Sequence, residues 1–141
     1  MTIITPGKGS NSIKVRRSRK SANEVPTENE DQIKLSCWLN SKNIRHNANA
    51  NGAKRTIQAG RKLKAMGMSP GFPDIEIPIP RGKYSGLYIE LKRVKGGRLS
   101  TEQRDWLVFL RSNNYYAEVA YGFHEAVEIV CTYFGLTKPA A

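Results

Sequence analysis

Alternation of apolar and polar positions marks two strands in the middle of the chain. In Ile75-Glu76-Ile77-Pro78-Ile79 every second residue is isoleucine. In Leu87-Tyr88-Ile89-Glu90-Leu91-Lys92 every second residue is leucine or isoleucine. A period of two is that of a strand with one apolar face. The linker Arg81-Gly82-Lys83-Tyr84-Ser85-Gly86 is short enough to fold the second strand back beside the first. Residues 116–121 predict a further strand, and an edge element is expected near the Gly96-Gly97 turn.

Between the strands the apolar period lengthens to that of a helix. Thr27-Glu28-Asn29-Glu30 has the form of a capping box and opens a helix through Ile33, Trp38 and Leu39, ending near Asn43. Residues 47–52 are rich in Asn, Gly and Ala and predict a loop. A second helix is expected from about Thr56 through Ile57, Leu63 and Met66, with Gly67 at its C-terminal cap. Ser100-Thr101-Glu102-Gln103 is another capping box, ahead of Trp106, Leu107, Phe109 and Leu110. A last helix is expected over 125–134, stopped by Gly135. The order α, α, β, β, α, β, α predicts an α/β fold, a mixed central sheet flanked by helices.

Length and composition narrow the class. The 141 residues suit one domain with a single sizeable core, and 39% of them are hydrophobic. No apolar run is long enough to span a membrane, and the N-terminus lacks the apolar core of a signal peptide, so a cytoplasmic rather than secreted protein is expected. Cys37 and Cys131 lie far apart and fit no metal-ligand spacing; both are expected as buried, reduced thiols. His46 and His124 are isolated and read as satisfied or exposed histidines.

The net charge is +11, and its distribution matters more than its size. Residues 1–27 hold Lys8, Lys14, Arg16, Arg17, Arg19 and Lys20 against Glu24 alone, a composition expected of a disordered basic arm, whether a DNA-binding or a solubilising one. A second block, 42–64, holds Lys42, Arg45, Lys54, Arg55, Arg61, Lys62 and Lys64 and no acid. A solvated helix face usually mixes signs, so a block of one sign points to a track for phosphates. Residues 137–141 are expected to fray.

The basic block leads into acidic chemistry. Asp74 stands at the head of the first strand, after the turn Gly71-Phe72-Pro73, and on the second strand Glu90 and Lys92 share a face opposite Leu87, Ile89 and Leu91. Folding one strand against the other brings Asp74 toward Glu90 at an expected rim of the sheet. Two carboxylates and an ammonium so placed suit phosphodiester cleavage: the acids offer oxygen ligands to Mg²⁺, and the amine can position or deprotonate water or neutralise charge on the phosphate. A cross-face ion pair is the bland alternative. Glu30 has two readings, a cap or an acid of this site. Gln103 likewise either closes its capping box or orients groups in the site. Glu76, two residues along from Asp74, reads as a rim carboxylate.

Pro73-Asp74, Glu90-Leu91-Lys92 and Gln103 resemble the PD-(D/E)XK nuclease signature, in particular its VRR-NUC branch. Residues 67–74 are similar to that branch's G-x-x-x-G-x-P-D entry, and residues 97–103 to its G-x-L-S-x-x-Q segment. The likeness covers roughly 28–130, within an expected domain of 28–136. It implies a restriction-endonuclease-like core and DNA cleavage that depends on Mg²⁺ or Mn²⁺. It also implies, for small free-standing members, a homodimer acting on branched DNA such as a Holliday junction. On this resemblance Asp74, Glu90 and the main-chain carbonyl of Leu91 hold the metal, Lys92 serves the nucleophile, Gln103 orients Lys92 or the attacking water, and the first helix lends an acid, for which Glu30 is the match. Lys54, Arg55, Arg61, Lys62, Lys64, Arg16 and Arg17 are the expected DNA contacts. A nicking, flap or duplex endonuclease and a non-catalytic basic DNA-binding protein remain the alternatives.

Overall fold

The computed structural model describes residues 24–49 and 55–140. Most of the expected arm, with Arg16 and Arg17, and also Lys54, lie outside the described residues. Eight elements follow in chain order: α1 (Glu28–Ser41), β1 (Asn47–Ala48), α2 (Ile57–Ala65), β2 (Ile75–Ile77), β3 (Leu87–Lys92), α3 (Thr101–Ser112), β4 (Tyr116–Tyr121) and α4 (Phe123–Phe134). The sheet order is β1-β2-β3-β4. The first two pairings are antiparallel and β3 runs parallel to β4 across the α3 connection, so the sheet is mixed, as the sequence predicts.

Both expected capping boxes form. Thr27 Oγ1 accepts from the Glu30 amide while the Glu30 carboxylate accepts from the Thr27 amide; Ser100 and Gln103 repeat the exchange at α3. β2 stops at Ile77, because Pro78 has no N–H to give the ladder, and the Ile79 amide turns back to the Ile77 carbonyl at 2.9 Å. The edge strand is Asn47–Ala48, within the segment expected as a loop, and the residues around Gly96 form a turn instead. The Asn49 side chain and amide continue that edge, donating to the Pro73 and Asp74 carbonyls at 2.9 and 2.8 Å. α4 begins at Phe123, earlier than the apolar period suggests, because Gly122 at φ 91° makes the sharp entry.

The strand period sorts side chains to two cores. Ile75, Ile77, Leu87, Ile89 and Leu91 point to one face and pack with Leu35 and Leu39 of α1 and with Val127, Val130 and Cys131 of α4. Tyr88 points the other way, toward Leu107 and Leu110 of α3, Ala117, and the ring of Phe72. Cys37, expected to be buried, is exposed: it is two residues from Leu35 and from Leu39, so it leaves the helix away from the core stripe they define.

Glu90 and Lys92 share the α3 face with Tyr88. They were expected at a rim, yet both are buried, at 2% and 7% exposure. The segment before Asp74 folds over them. Phe72 is gripped edge-to-face by Tyr88 of β3 and Trp106 of α3, with ring centroids 5.6 and 4.9 Å away. Gly71, at φ +82°, runs so close to α3 that a Cβ on it would stand 2.5 Å from the Glu102 carbonyl carbon. Gly71→Ala therefore meets both a left-handed backbone and a backbone clash, and it should cost at least about 2 kcal/mol. Urea titration of wild type and variant measures that loss.

Candidate active site

The β2–β3 register builds the site. Ile75 faces Ile89 and Glu76 faces Tyr88, so one step further along the ladder sets Asp74 opposite Glu90. Asp74 no longer pairs as a strand residue; its Oδ2 accepts from the Leu91 amide at 2.8 Å, which anchors the carboxylate to β3. Lys92 follows on the same face, and its Nζ is 3.2 Å from Glu90 Oε1. That oxygen also accepts from Gln103 Nε2 at 2.5 Å. Glu90 Oε2 is buried and has no partner among the described residues.

Gln103 joins two tasks that the sequence sets against each other. Its Oε1 accepts from the Ser100 amide at 2.8 Å, completing the cap of α3, while its Nε2 holds Glu90. Glu30 is placed differently. Its carboxylate is engaged in the α1 cap, accepting from the Thr27 amide at 2.8 Å. Glu28, two residues earlier and so about 200° round the helix, is the α1 acid that faces the site. With Pro70, Phe72, Asp74, Glu90, Lys92 and Gln103 it lines a cavity of about 140 Å³, and its charge bears on both Asp74 and Glu90. Glu76 stands apart from this cavity, accepting from the Tyr88 hydroxyl at 3.1 Å.

Burial sets the electrostatics. It raises the Glu90 carboxyl to about 7, and the neighbouring Asp74 carboxylate adds to the rise while Lys92 opposes it. Asp74 is also raised, first by burial, against the pull of the Leu91 amide and of Lys92. Two carboxylates whose charged forms are held high in free energy, one with an unpartnered buried oxygen, form a site that gains from a cation. Among the described residues no three His, Cys, Asp or Glu side chains gather as a metal cluster, and the acidic oxygens that meet here are those of the Asp74–Glu90 pair. That is the donor chemistry of Mg²⁺ rather than Zn²⁺.

The VRR-NUC domain family model matches residues 13–124 of the chain. The chain belongs to the VRR-NUC family. A solved structure described as a VRR-NUC domain protein superposes with a TM-score of 0.68 at 27% identity, covering 82% of this chain and 93% of that one. No curated protein matches. The fold is accordingly the restriction-endonuclease-like α/β fold of this nuclease family.

Several residues of this VRR-NUC chain escape a reading of sequence. Glu28 and Glu30 both lie in the first turn of α1, and only the exact rotation of the helix says which of them meets Asp74. Asn49 holds the Pro73-Asp74 backbone from a segment whose composition signals a loop. The histidines are as expected: both ring nitrogens of His46 are engaged, by Ser36 Oγ and the Ile44 carbonyl, and His124 is exposed. Arg55, Arg61, Lys62 and Lys64 lie on and before α2, whose last residues lead through Pro70 to the carboxylates. No helix among the described residues is long and apolar enough to cross a membrane.

The raised Glu90 gives a pH signature in metal-free buffer. Between its ordinary value of 4.5 and about 7 the folded chain holds a proton that the unfolded chain releases. Stability therefore falls as pH rises through that window and levels off above it. Glu90→Gln removes the contribution while keeping an acceptor for Gln103. The variant should gain about 1–3 kcal/mol on wild type between the acid and the neutral end. Denaturant titrations at several pH values with chelator present provide the check; parallel profiles would mean that Glu90 titrates normally.

Proposed function

We propose that this VRR-NUC chain is a Mg²⁺-dependent, structure-specific DNA endonuclease of the Holliday-junction-resolvase kind, acting as a homodimer in the cytoplasm. The observation that carries the reading is the meeting of Asp74, Glu90 and Lys92 on one buried sheet face, with Glu90 Oε2 left unpartnered among the described residues.

Asp74, Glu90 and the Leu91 carbonyl are the groups that would hold the ion, with Glu28 as a further acid toward it. Bound Mg²⁺, for which Mn²⁺ can substitute, would lower the pKa of a water and offset charge on the phosphate. The chain's own side chains supply the rest. Hydrolysis joins a water oxygen to phosphorus and breaks one P–O bond, so negative charge grows on the phosphoryl oxygens. As an ammonium, Lys92, held by Glu90, sits where that charge develops and can orient the water; only as the neutral amine could it take the water's proton instead. Gln103 fixes the Glu90 carboxylate, so the pair need not reorganise during the reaction.

Arg55, Arg61, Lys62 and Lys64, with Lys54, Arg16 and Arg17, would hold flanking phosphates, which sets affinity without reading sequence. Two copies related by a two-fold axis would present two such sites to symmetric strands. Exposed Val108 and Phe109 on α3 are apolar surface available to such a pairing. Sedimentation measures the stoichiometry.

Junction, flap, nicked, duplex and single-stranded DNA, compared side by side with and without Mg²⁺, test the reading. Preferred cutting of junctions supports it in full. Preference for flaps or duplex corrects the substrate, and metal-independent binding without cleavage would leave a DNA-binding protein.

Two sets of variants test the residues. Asp74→Ala and Lys92→Ala should each lower cleavage roughly a hundred-fold or more. DNA affinity should remain, and folding is confirmed by circular dichroism. Full activity of folded Lys92→Ala would remove it from the chemistry. On α1, Glu28→Gln should slow cleavage and raise the Mg²⁺ concentration needed for half-maximal rate, whereas Glu30→Gln keeps a side chain that serves in a capping box and should cut like wild type. The reverse order, read from Mg²⁺ titrations of the rate, would return the acid of the site to Glu30.

A further inference from the structure

α2 is an amphipathic helix that buries none of its residues, and Ile57 at its start is 76% exposed. Beside it runs a groove of about 200 Å³ lined by Arg55, Gly60, Leu63, Lys64, Met68 and Pro70. Half-buried Leu63 and Met68 give it an apolar floor, exposed Pro70 lies at its edge, and Arg55 and Lys64 add two cations. Arg55 Nη1 rests 3.2 Å from the Met68 sulfur, which keeps its guanidinium over the floor. Pro70 also lines the cavity of Asp74 and Glu90, so the groove and that cavity adjoin at this residue.

Gly60 is the informative residue. It sits in the middle of a nine-residue helix, where glycine costs about 1 kcal/mol relative to alanine. Among the described residues nothing requires it: its φ is not positive, and a Cβ built on it meets none of their atoms within 4 Å. It lines the groove without adding a side chain to it.

We propose that this groove takes one unpaired nucleotide of the DNA strand, next to the phosphodiester that is cut. The proposal rests on the DNA reading and names the part of the substrate that α2 selects. Phosphates alone would call for cations and have no use for an apolar floor. A base needs both a floor for its face and cations for its phosphate. Arginine planes and methionine sulfur are both favourable partners for an aromatic ring. The volume is below the roughly 300–1,000 Å³ of pockets for drug-sized ligands, so it suits a single base. Bases inside a duplex are stacked and cannot enter such a groove without being extruded, so junction branch points and flaps, whose bases are already unstacked, meet the site at lowest cost.

Gly60→Leu fills the groove with a residue that favours helix, and Gly60→Ala adds only a methyl group. Fluorescence anisotropy with labelled oligothymidylate and with a duplex of equal length, both in chelator so that nothing is cut, separates the two ligands. Gly60→Leu should weaken oligothymidylate binding about five- to ten-fold, toward the lower end of single-base stacking effects, and leave duplex binding unchanged. Gly60→Ala, which narrows the groove by one methyl group, should weaken oligothymidylate binding less than Gly60→Leu does and leave duplex binding unchanged. Circular dichroism and melting show whether each variant is folded; if Gly60→Leu is not, Met68→Ala, which removes floor, must show the same selective loss. Equal losses on both ligands, or none on oligothymidylate, overturn the proposal. Because the assay contains no cleavage, it stands or falls apart from the nuclease reading: a chain that cuts duplex with an irrelevant Gly60 refutes the groove alone.

Discussion

The antiparallel register of β2 against β3 is the constraint on which the site depends. Pairing Ile75 with Ile89 sends the isoleucines and leucines of both strands to the α1 and α4 side. By the same parity it sends Asp74, Glu90 and Lys92 to the α3 side. A slip of one residue would exchange the two sets, burying charges among Leu35, Leu39 and Val130. Hydrophobic burial on one face thus specifies the geometry of the charged groups on the other. The Leu91 amide, free of the β2 ladder beyond Ile75, is then available to Asp74 Oδ2 and ties the loop to the strand at the point where the two carboxylates meet.

That arrangement is held at a cost. Glu90 is almost fully enclosed, and its neighbours on the sheet face include another acid; Lys92 and Gln103 offset only part of the penalty, both at the same oxygen. The second oxygen has no partner among the described residues. A stable protein core would favour Gln or Leu there. Retaining a carboxylate in such surroundings makes sense where a cation completes it, and the charge is then raised in free energy only in the metal-free state. The aromatic clamp of Phe72 between Tyr88 and Trp106 supplies apolar packing close to the site, which holds the enclosing segment down. Burial here strengthens each interaction with an incoming phosphate, because it lowers the local dielectric.

Much of this was legible in the chain, for reasons that can be named. Capping boxes at Thr27 and Ser100 depend on residues three apart, and both form. Strand parity depends on neighbours two apart, and it put Glu90 and Lys92 on one face. What the sequence left open or misplaced needed information from further away. The choice between Glu28 and Glu30 turns on how α1 is rotated against β3, which Leu35 and Leu39 decide by packing. The pairing of Asn47–Ala48 has no propensity behind it; it exists because Ile75 and Glu76 present an open edge, and Asn49 can reach the Pro73 carbonyl. The enclosure of Glu90 and Lys92 depends on Gly71 lying against α3, a contact between segments about thirty residues apart.

The rotation of α1 has a second effect. Asp31, one turn beyond Glu28 on the same side of the helix, is buried with an unpartnered Oδ2 among the described residues. It lies at the start of α4: a Cβ on Gly122 would stand 3.8 Å from that oxygen, and Gly122 gives α4 no side-chain cap. An anion at the positive end of a helix is stabilised by the helix dipole, so Asp31 and α4 compensate each other across chain segments. The Gly122 amide in turn donates to the Lys92 carbonyl at 3.0 Å. The helix that brings Glu28 to the carboxylates is therefore set against the end of β3 that carries Lys92, through charge and dipole as well as through Leu35 and Leu39. The position of Glu28 in the site follows from that seating.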